Sequence, residues 1–408
     1  MNQNLEKYID LYSRLEVFES EKIPLCAAET YISDFCKSPL NSNFEGKYSF
    51  IDSFGNNSFI GGEYVNQLND LLKNECQTLF HAQYANADTI TGINCFTICA
   101  MSLLTRGDYV LITTPEQGGH SSIPIILDTL GIKYETIPFN YSNYQIDYHS
   151  LNLLCLSNKF RFIIFCQSDV INPPDLSKIK LSHGMGIIYD GTQTLGLIAA
   201  KVIPNPLDVI PNVVLIGGAH KTLPAPACGL IMTNNTQYIE CLKNSITPKF
   251  LRNTQPNHIA ALLLSLIEQE EYGQEYQTSI VATANKLGRE LENLNFRIAK
   301  LEIGVYTHTH QLFLLMNEKA ATNFYQNAQQ YNVTLNQKHK LLFSNDGIRL
   351  GVQEIARYKW SETEIALLAK LLYHLNVAKP DPEKILEIRQ NLIAKKIPQF
   401  TYENIFIK

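Results

Sequence analysis

The sequence predicts an α/β protein with a larger and a smaller domain, and three observations carry that prediction. Short apolar runs alternate with helix-like stretches through the middle of the chain, long helix takes over after Pro256, and strand-like pieces return near the C-terminus. Tyr109–Thr114, Phe162–Gln167, Gly186–Asp190 and Val213–Gly218 are rich in Ile, Val, Phe or Tyr and end in polar or glycine residues, the pattern of buried strands. Asn94–Thr105 and Ser121–Leu130 carry helical spacing between them. Such alternation implies a mainly parallel sheet covered on both faces, with ligands gathering at the carboxyl ends of its strands. Beyond Pro256, Ile259–Ile267 is strongly apolar and continues as amphipathic helix to about Leu294. Leu312–Met316 and Ile348–Val352 read as strands, Thr363–Leu375 and Pro382–Ala394 as helices. The expected organisation is a helical N-terminal arm over residues 1–22, a large domain over 23–275 and a small α/β domain over 276–408.

Composition narrows the function classes. A chain of 408 residues with 45% hydrophobic and 18% charged residues is ordinary globular material. A net charge of −5 and the lack of a dense Lys/Arg stretch argue against nucleic-acid binding. No apolar run approaches the ~18 residues that span a bilayer, and residues 1–22 mix charged and apolar residues unlike a secretory leader. Nine cysteines, an odd number with several inside apolar runs, suit reduced and buried thiols in a cytoplasmic protein. Cys95 and Cys99 stand one helical turn apart with no second pair to complete a zinc site, so no metal is expected.

The sharpest chemical signal is Gly217-Gly218-Ala219-His220-Lys221-Thr222, directly after a strand. A lysine at a sheet's carboxyl edge can be desolvated and lose its proton, and a neutral amine is what Schiff-base chemistry requires. Read alone, Lys221 is equally a solvated loop lysine. Asp190 ends another strand 31 residues earlier. An Asp at the same sheet edge suits a pyridine nitrogen that must stay protonated, although a capping Asp would look the same. His120 follows Gly118-Gly119 after the strand that begins at Tyr109, where a flat imidazole can stack on a ring. Thr91-Gly92-Ile93-Asn94 opens a helix, whose N–H groups and dipole favour a phosphate or simply take an N-cap. Arg349, in Gly347-Ile348-Arg349-Leu350-Gly351, has the planar fork that binds a carboxylate, whether a substrate's or a structural partner's.

Taken together, these residues resemble serine hydroxymethyltransferase, a pyridoxal-phosphate enzyme of fold type I in the aspartate aminotransferase superfamily. The resemblance runs from about Pro24 to at least Arg357, strongest at Gly61-Gly62-Glu63-Tyr64-Val65, Gly118-Gly119-His120, Asp190–Ala200, His220-Lys221-Thr222-Leu223 and Gly347–Gly351. It implies a large domain with a mainly parallel, seven-stranded sheet between helices, and a homodimer with shared active sites. It further implies that Lys221 holds pyridoxal 5'-phosphate, Asp190 pairs with the ring nitrogen, His120 stacks on the ring and Ser168 reaches its phenolic oxygen. Thr91, Gly92 and Ile93 then cradle the phosphate, with Gln193 and His220 beside the cofactor, and Arg349 takes the substrate carboxylate.

Departures from the family pattern bear on the reaction. Ala28 stands where a serine precedes the glutamate, Glu29; Ile93 replaces the phosphate loop's second serine; Gln193 replaces a histidine, and Ala227 an arginine. Phe50 and Asp52 fall where the family carries a tyrosine and a proton-handling glutamate. The stretch from Asn336 to Gly347 is several residues shorter than in the family, where it contacts the folate pterin, and Pro248–Pro256 replaces a glycine-rich stretch that reaches a partner's phosphate. The catalytic candidates are Lys221, Asp52, His120 and Glu29; the substrate-binding candidates are Arg349, Phe50 and Ala28. The expected activity is a transferase or lyase at the α-carbon of a small amino acid, in first place folate-independent aldol cleavage or transaldol transfer on a β-hydroxy amino acid. Folate-dependent exchange between serine and glycine is the second reading and transamination the third. A homologue that serves only as a binding subunit is the reading from another class.

Overall fold

Seven strands make the main sheet: β1 (Tyr84–Asn86), β2 (Tyr109–Ile112), β3 (Lys133–Thr136), β4 (Phe162–Cys166), β5 (Gly186–Asp190), β6 (Val213–Gly218) and β7 (Gly229–Thr233). Their spatial order is β1-β7-β6-β5-β4-β2-β3. Every pairing from β6 across to β3 is parallel, and β7 runs antiparallel to both of its neighbours. The computed structural model describes residues 2–52 and 54–403.

The strands are apolar without alternation because both faces are covered. Successive residues feed two separate cores: Phe162, Ile164, Val214 and Ile216 enter one, while Ile163, Phe165, Val213 and Leu215 enter the other. The first core is closed by helices Gly92–Leu103, Ser122–Leu130 and Thr236–Ser245, through Phe96, Leu127 and Leu242. The second is closed by Glu63–Phe80, Tyr148–Cys155 and the first turns of Pro256–Asn293, through Leu72, Leu151 and Leu262. Each fully buried Ile, Leu or Phe side chain stabilises this stack by ~1.5–3 kcal/mol relative to exposure. Strands this deeply buried stop where the chain must turn, so their carboxyl ends present loops at one edge of the sheet.

The chain divides into two compact units, Ala28–Thr278 with Phe400–Lys408, and Met1–Ala27 with Ser279–Gln399. These differ at both ends from the arm, large domain and small domain expected over 1–22, 23–275 and 276–408. Residues before Ala28 cluster with the C-terminal unit for identifiable reasons. Ile23–Pro24 pairs in parallel with Val333–Thr334. Lys396 Nζ donates to the carbonyls of Glu19, Ser20 and Lys22, and Arg389 to that of Glu21 at 2.9 Å, so two cations cap the end of the Gln3–Glu21 helix. Conversely, Thr401 donates to buried Glu268 and Phe400 packs on Tyr276 with ring centroids 5.4 Å apart, which ties the last described residues to the sheet unit.

The second unit is built on an antiparallel sheet of β8 (Gln311–Met316), β9 (Asn336–Lys340) and β10 (Asn345–Gly351), with β10 central. Helices Glu318–Gln330, Glu362–Leu375 and Pro382–Ile393 complete it. Ser361 and Glu364 form a reciprocal capping box at the start of Glu362–Leu375. Among the described residues, no helix is long and apolar enough to cross a membrane.

Candidate active site

Four adjacent parallel strands deliver the expected cofactor residues to one edge of the sheet. Asp190 is the last residue of β5, Lys221 follows β6, Ser168 follows β4 and His120 follows β2. Asp190 is held at both carboxylate oxygens. Oδ1 accepts the Thr192 N–H at 2.8 Å, and Oδ2 accepts the Cys166 thiol at 2.9 Å.

Lys221 lies in the same electrostatic environment. Its positive charge acts on both Cys166 and His220, and the charge of Asp190 acts on the same two side chains. Burial holds the His220 imidazole down to about 4, the neighbouring Lys221 charge adds to that, and Asp190 opposes it. His220 is therefore neutral at physiological pH. Its Nδ1 is a buried polar atom with no hydrogen-bond partner among the described residues.

The turn after β5 is stitched to the turn after β6. Thr192 Oγ1 accepts the Gly218 N–H at 2.8 Å, and Thr222 Oγ1 donates to the carbonyl of buried Gln193 at 3.1 Å. The third turn comes from the Gly92–Leu103 helix. Thr91 caps it by accepting the Asn94 N–H at 3.2 Å. A Cβ on Gly92 would stand 2.5 Å from Thr192 Oγ1 and 3.0 Å from Gly218 N, so the missing side chain lets the helix N-terminus approach the other two turns. Ile93, half-buried, packs its side chain against the first core.

On the other flank, His120 N–H donates to the Cys166 carbonyl at 2.8 Å. Its Nδ1 accepts the Ser122 N–H at 3.2 Å, which leaves the proton of a neutral ring on Nε2. The Ser168 and Asp169 N–H groups converge on the Gly118 carbonyl at 2.7 and 3.0 Å. Gly119 must be glycine here, because a Cβ would lie 2.1 Å from the Thr113 carbonyl oxygen.

The remaining candidates lie elsewhere in the chain. Ala28 is half-buried and Glu29 exposed where the sheet unit begins. Asp52 turns its Oδ1 into its own loop, accepting the N–H groups of Phe54 and Asn56, each at 2.9 Å. The Phe50 ring carries the Arg252 guanidinium 3.9 Å from its centroid, so Phe50 touches the Pro248–Pro256 stretch. Arg349 belongs to the second unit, buried on central strand β10, and donates to Asn336 Oδ1 on β9 at 2.8 Å. Asn336 and Cys166 carry contacts that no sequence motif announced, registry across strands being the missing signal; Thr192 lies within the Asp190–Ala200 stretch, which did not show its contact with Gly218.

The donor set suits pyridoxal phosphate. A carboxylate anchored at both oxygens can face a ring nitrogen, a lysine shares its field, and a glycine-opened helix N-terminus can meet a phosphate. The architecture is that of the fold-type-I pyridoxal-phosphate enzymes. The crystal structure of an L-threonine transaldolase from Pseudomonas fluorescens superposes on 100% of this chain and 96% of its own, with a TM-score of 0.89 at 22% identity. The family model described as serine hydroxymethyltransferase matches residues 5–372, and the chain belongs to that family. The serine hydroxymethyltransferase of Thermoplasma volcanium is 26% identical, covering 90% of this chain and 88% of its own. That of Methanothermobacter marburgensis is 27% identical, covering 90% and 89%. The protein is thus a divergent, serine hydroxymethyltransferase-like enzyme that binds pyridoxal phosphate and works as a transferase or lyase.

Proposed function

We propose that the enzyme acts at the α-carbon of a small β-hydroxy amino acid, cleaving or transferring across its Cα–Cβ bond without folate. When bound, the cofactor supplies an electron sink for negative charge at the α-carbon. In this reading Lys221 is its covalent anchor, and Asp190 holds the ring nitrogen in its cationic form. His120 covers the ring face, while Ser168, Thr91, Gly92, Ile93, Gln193 and His220 line the rest of the cofactor's surroundings. Arg349, braced by Asn336, takes the substrate carboxylate through paired hydrogen bonds. The observation that carries the reading is the doubly anchored Asp190 in the same field as Lys221.

Two features support independence from folate. Asp52, where the family places its proton-handling glutamate, spends an oxygen on its own turn. The stretch from Asn336 to Gly347 is a tight hairpin with one short helical turn, Leu341–Phe343, leaving little chain to meet a pterin. An expected homodimer accords with the exposed Tyr8, Leu11, Tyr12 and Leu15 of the Gln3–Glu21 helix. A second reading, hydroxymethyl transfer with folate, is favoured by the names of the curated relatives.

The test is to incubate the purified holoenzyme with threonine or serine, with and without tetrahydrofolate. Acetaldehyde from threonine without folate is expected, and Lys221→Ala should abolish both this activity and borohydride fixation of the cofactor. Turnover of serine that requires tetrahydrofolate, with no release of acetaldehyde, would establish the second reading instead.

A further inference from the structure

We propose that Cys166 is a positioning residue for Asp190, its thiol fixing the orientation in which that carboxylate meets the cofactor's ring nitrogen; this rests on the role given to Asp190 above. Cys166 ends β4 and Asp190 ends β5, and the two are direct partners in the parallel register. Their side chains therefore leave the same face of the sheet, with Sγ 2.9 Å from Oδ2. Cys166 is 1% exposed, so water cannot take over the interaction. Burial and the Asp190 charge push its thiol well above the ordinary cysteine range. The proton consequently stays on sulfur, and the thiol donates. Because Oδ1 is taken by the Thr192 N–H from the following turn, the carboxylate is gripped from two elements. Rotation about its Cβ–Cγ bond would break at least one of the two bonds.

A cysteine in a buried strand would ordinarily be read as a small apolar residue. Here its backbone is pinned separately: the N–H donates to Thr113 Oγ1 at 3.3 Å and the carbonyl accepts the His120 N–H at 2.8 Å. Changing the side chain thus probes the S–H bond without a direct change to the support of His120. Valine nearly matches cysteine in packing but donates nothing, whereas serine keeps a donor.

The experiment titrates apoprotein with pyridoxal phosphate, following cofactor absorbance, for the wild type, Cys166→Val, Cys166→Ser and Asp190→Asn. Infrared spectra of the same apoproteins follow the S–H stretch. Loss of a hydrogen bond to a charged group should weaken cofactor affinity about tenfold in Cys166→Val, while Cys166→Ser stays within about threefold of the wild type. The S–H band that disappears in Cys166→Val should shift to higher frequency in Asp190→Asn. Wild-type affinity in Cys166→Val, with Asp190→Asn impaired, would overturn the proposal and leave the assignment of Asp190 standing. Wild-type affinity in Asp190→Asn would remove that assignment itself. Should Cys166→Val fail to fold, Cys166→Ser identifies the band, and a band insensitive to Asp190→Asn overturns the proposal.

Discussion

Gly196→Ala should loosen the segment around Lys221 from a distance, and the size of the effect follows from the packing. Gly196 lies in the short helix Leu195–Ala199, where every residue is buried. An added Cβ would stand 2.4 Å from the Thr222 carbonyl oxygen and 2.4 Å from Gln277 Nε2, about 0.6 Å inside the 3.0 Å that real Cβ atoms respect. Neither neighbour can yield cheaply. Gln277 is fully buried, and its Nε2 donates to the Thr222 carbonyl at 2.7 Å and to Gln269 at 3.1 Å. Thr222 is in turn fixed through Oγ1, which donates to Gln193 O and accepts the Gly196 N–H at 3.2 Å. Overpacking of this kind costs ~1–3 kcal/mol. At ~2–4 °C per kcal/mol for a unit of this size, the melting temperature should fall by ~2–12 °C. Thr222 follows Lys221 directly, so the displacement should also slow borohydride fixation of the cofactor. Calorimetry and a trapping time course check both effects. A variant that melts within about 1 °C of the wild type and traps cofactor at the same rate would refute this account of the packing.

His220 should make stability depend on pH. The folded ring is held near 4 by burial and Lys221, against an ordinary 6.5; between those values the unfolded chain binds a proton that the folded chain refuses. Its contribution is therefore full above about pH 6.5 and is lost as pH falls towards 4, by about 3 kcal/mol at most. Urea titrations from pH 7 to 4 should show a shallower decline for His220→Gln. Arg349→Ala should weaken amino-acid binding by about one to two orders of magnitude and leave the cofactor in place. Asn336→Ala should show a smaller loss of the same kind, as read by spectral titration with amino acids.

Much of the fold was legible because the parallel strands are buried on both faces and so read as unbroken apolar runs. Val213–Gly218 and Gly186–Asp190 appear in the structure with the residues expected of them. Edge strand Lys133–Thr136 was not legible, since its charged, partly exposed residues lack that signature. At the chain ends, local sequence could not reveal that Lys396 and Arg389 would cap the N-terminal helix. Within the site, the glycines and Lys221 stood out by spacing, whereas Cys166 looked like one more apolar strand residue. Its bond to Asp190 exists only because β4 and β5 pair in a particular register.

By itself the sequence determined the alternation of strand and helix, and with it the edge at which Asp190, His120, Ser168 and Lys221 had to emerge, because burial and backbone periodicity are local properties of the chain. Tertiary structure alone decided which atoms meet there. The thiol of Cys166 on Asp190, the hydroxyl of Thr192 on Gly218 and the brace of Asn336 on Arg349 join residues 24, 26 and 13 positions apart. Hydrogen bonds of this kind tolerate errors of only a few tenths of an ångström. Strand register and close packing set distances that finely; composition and spacing do not.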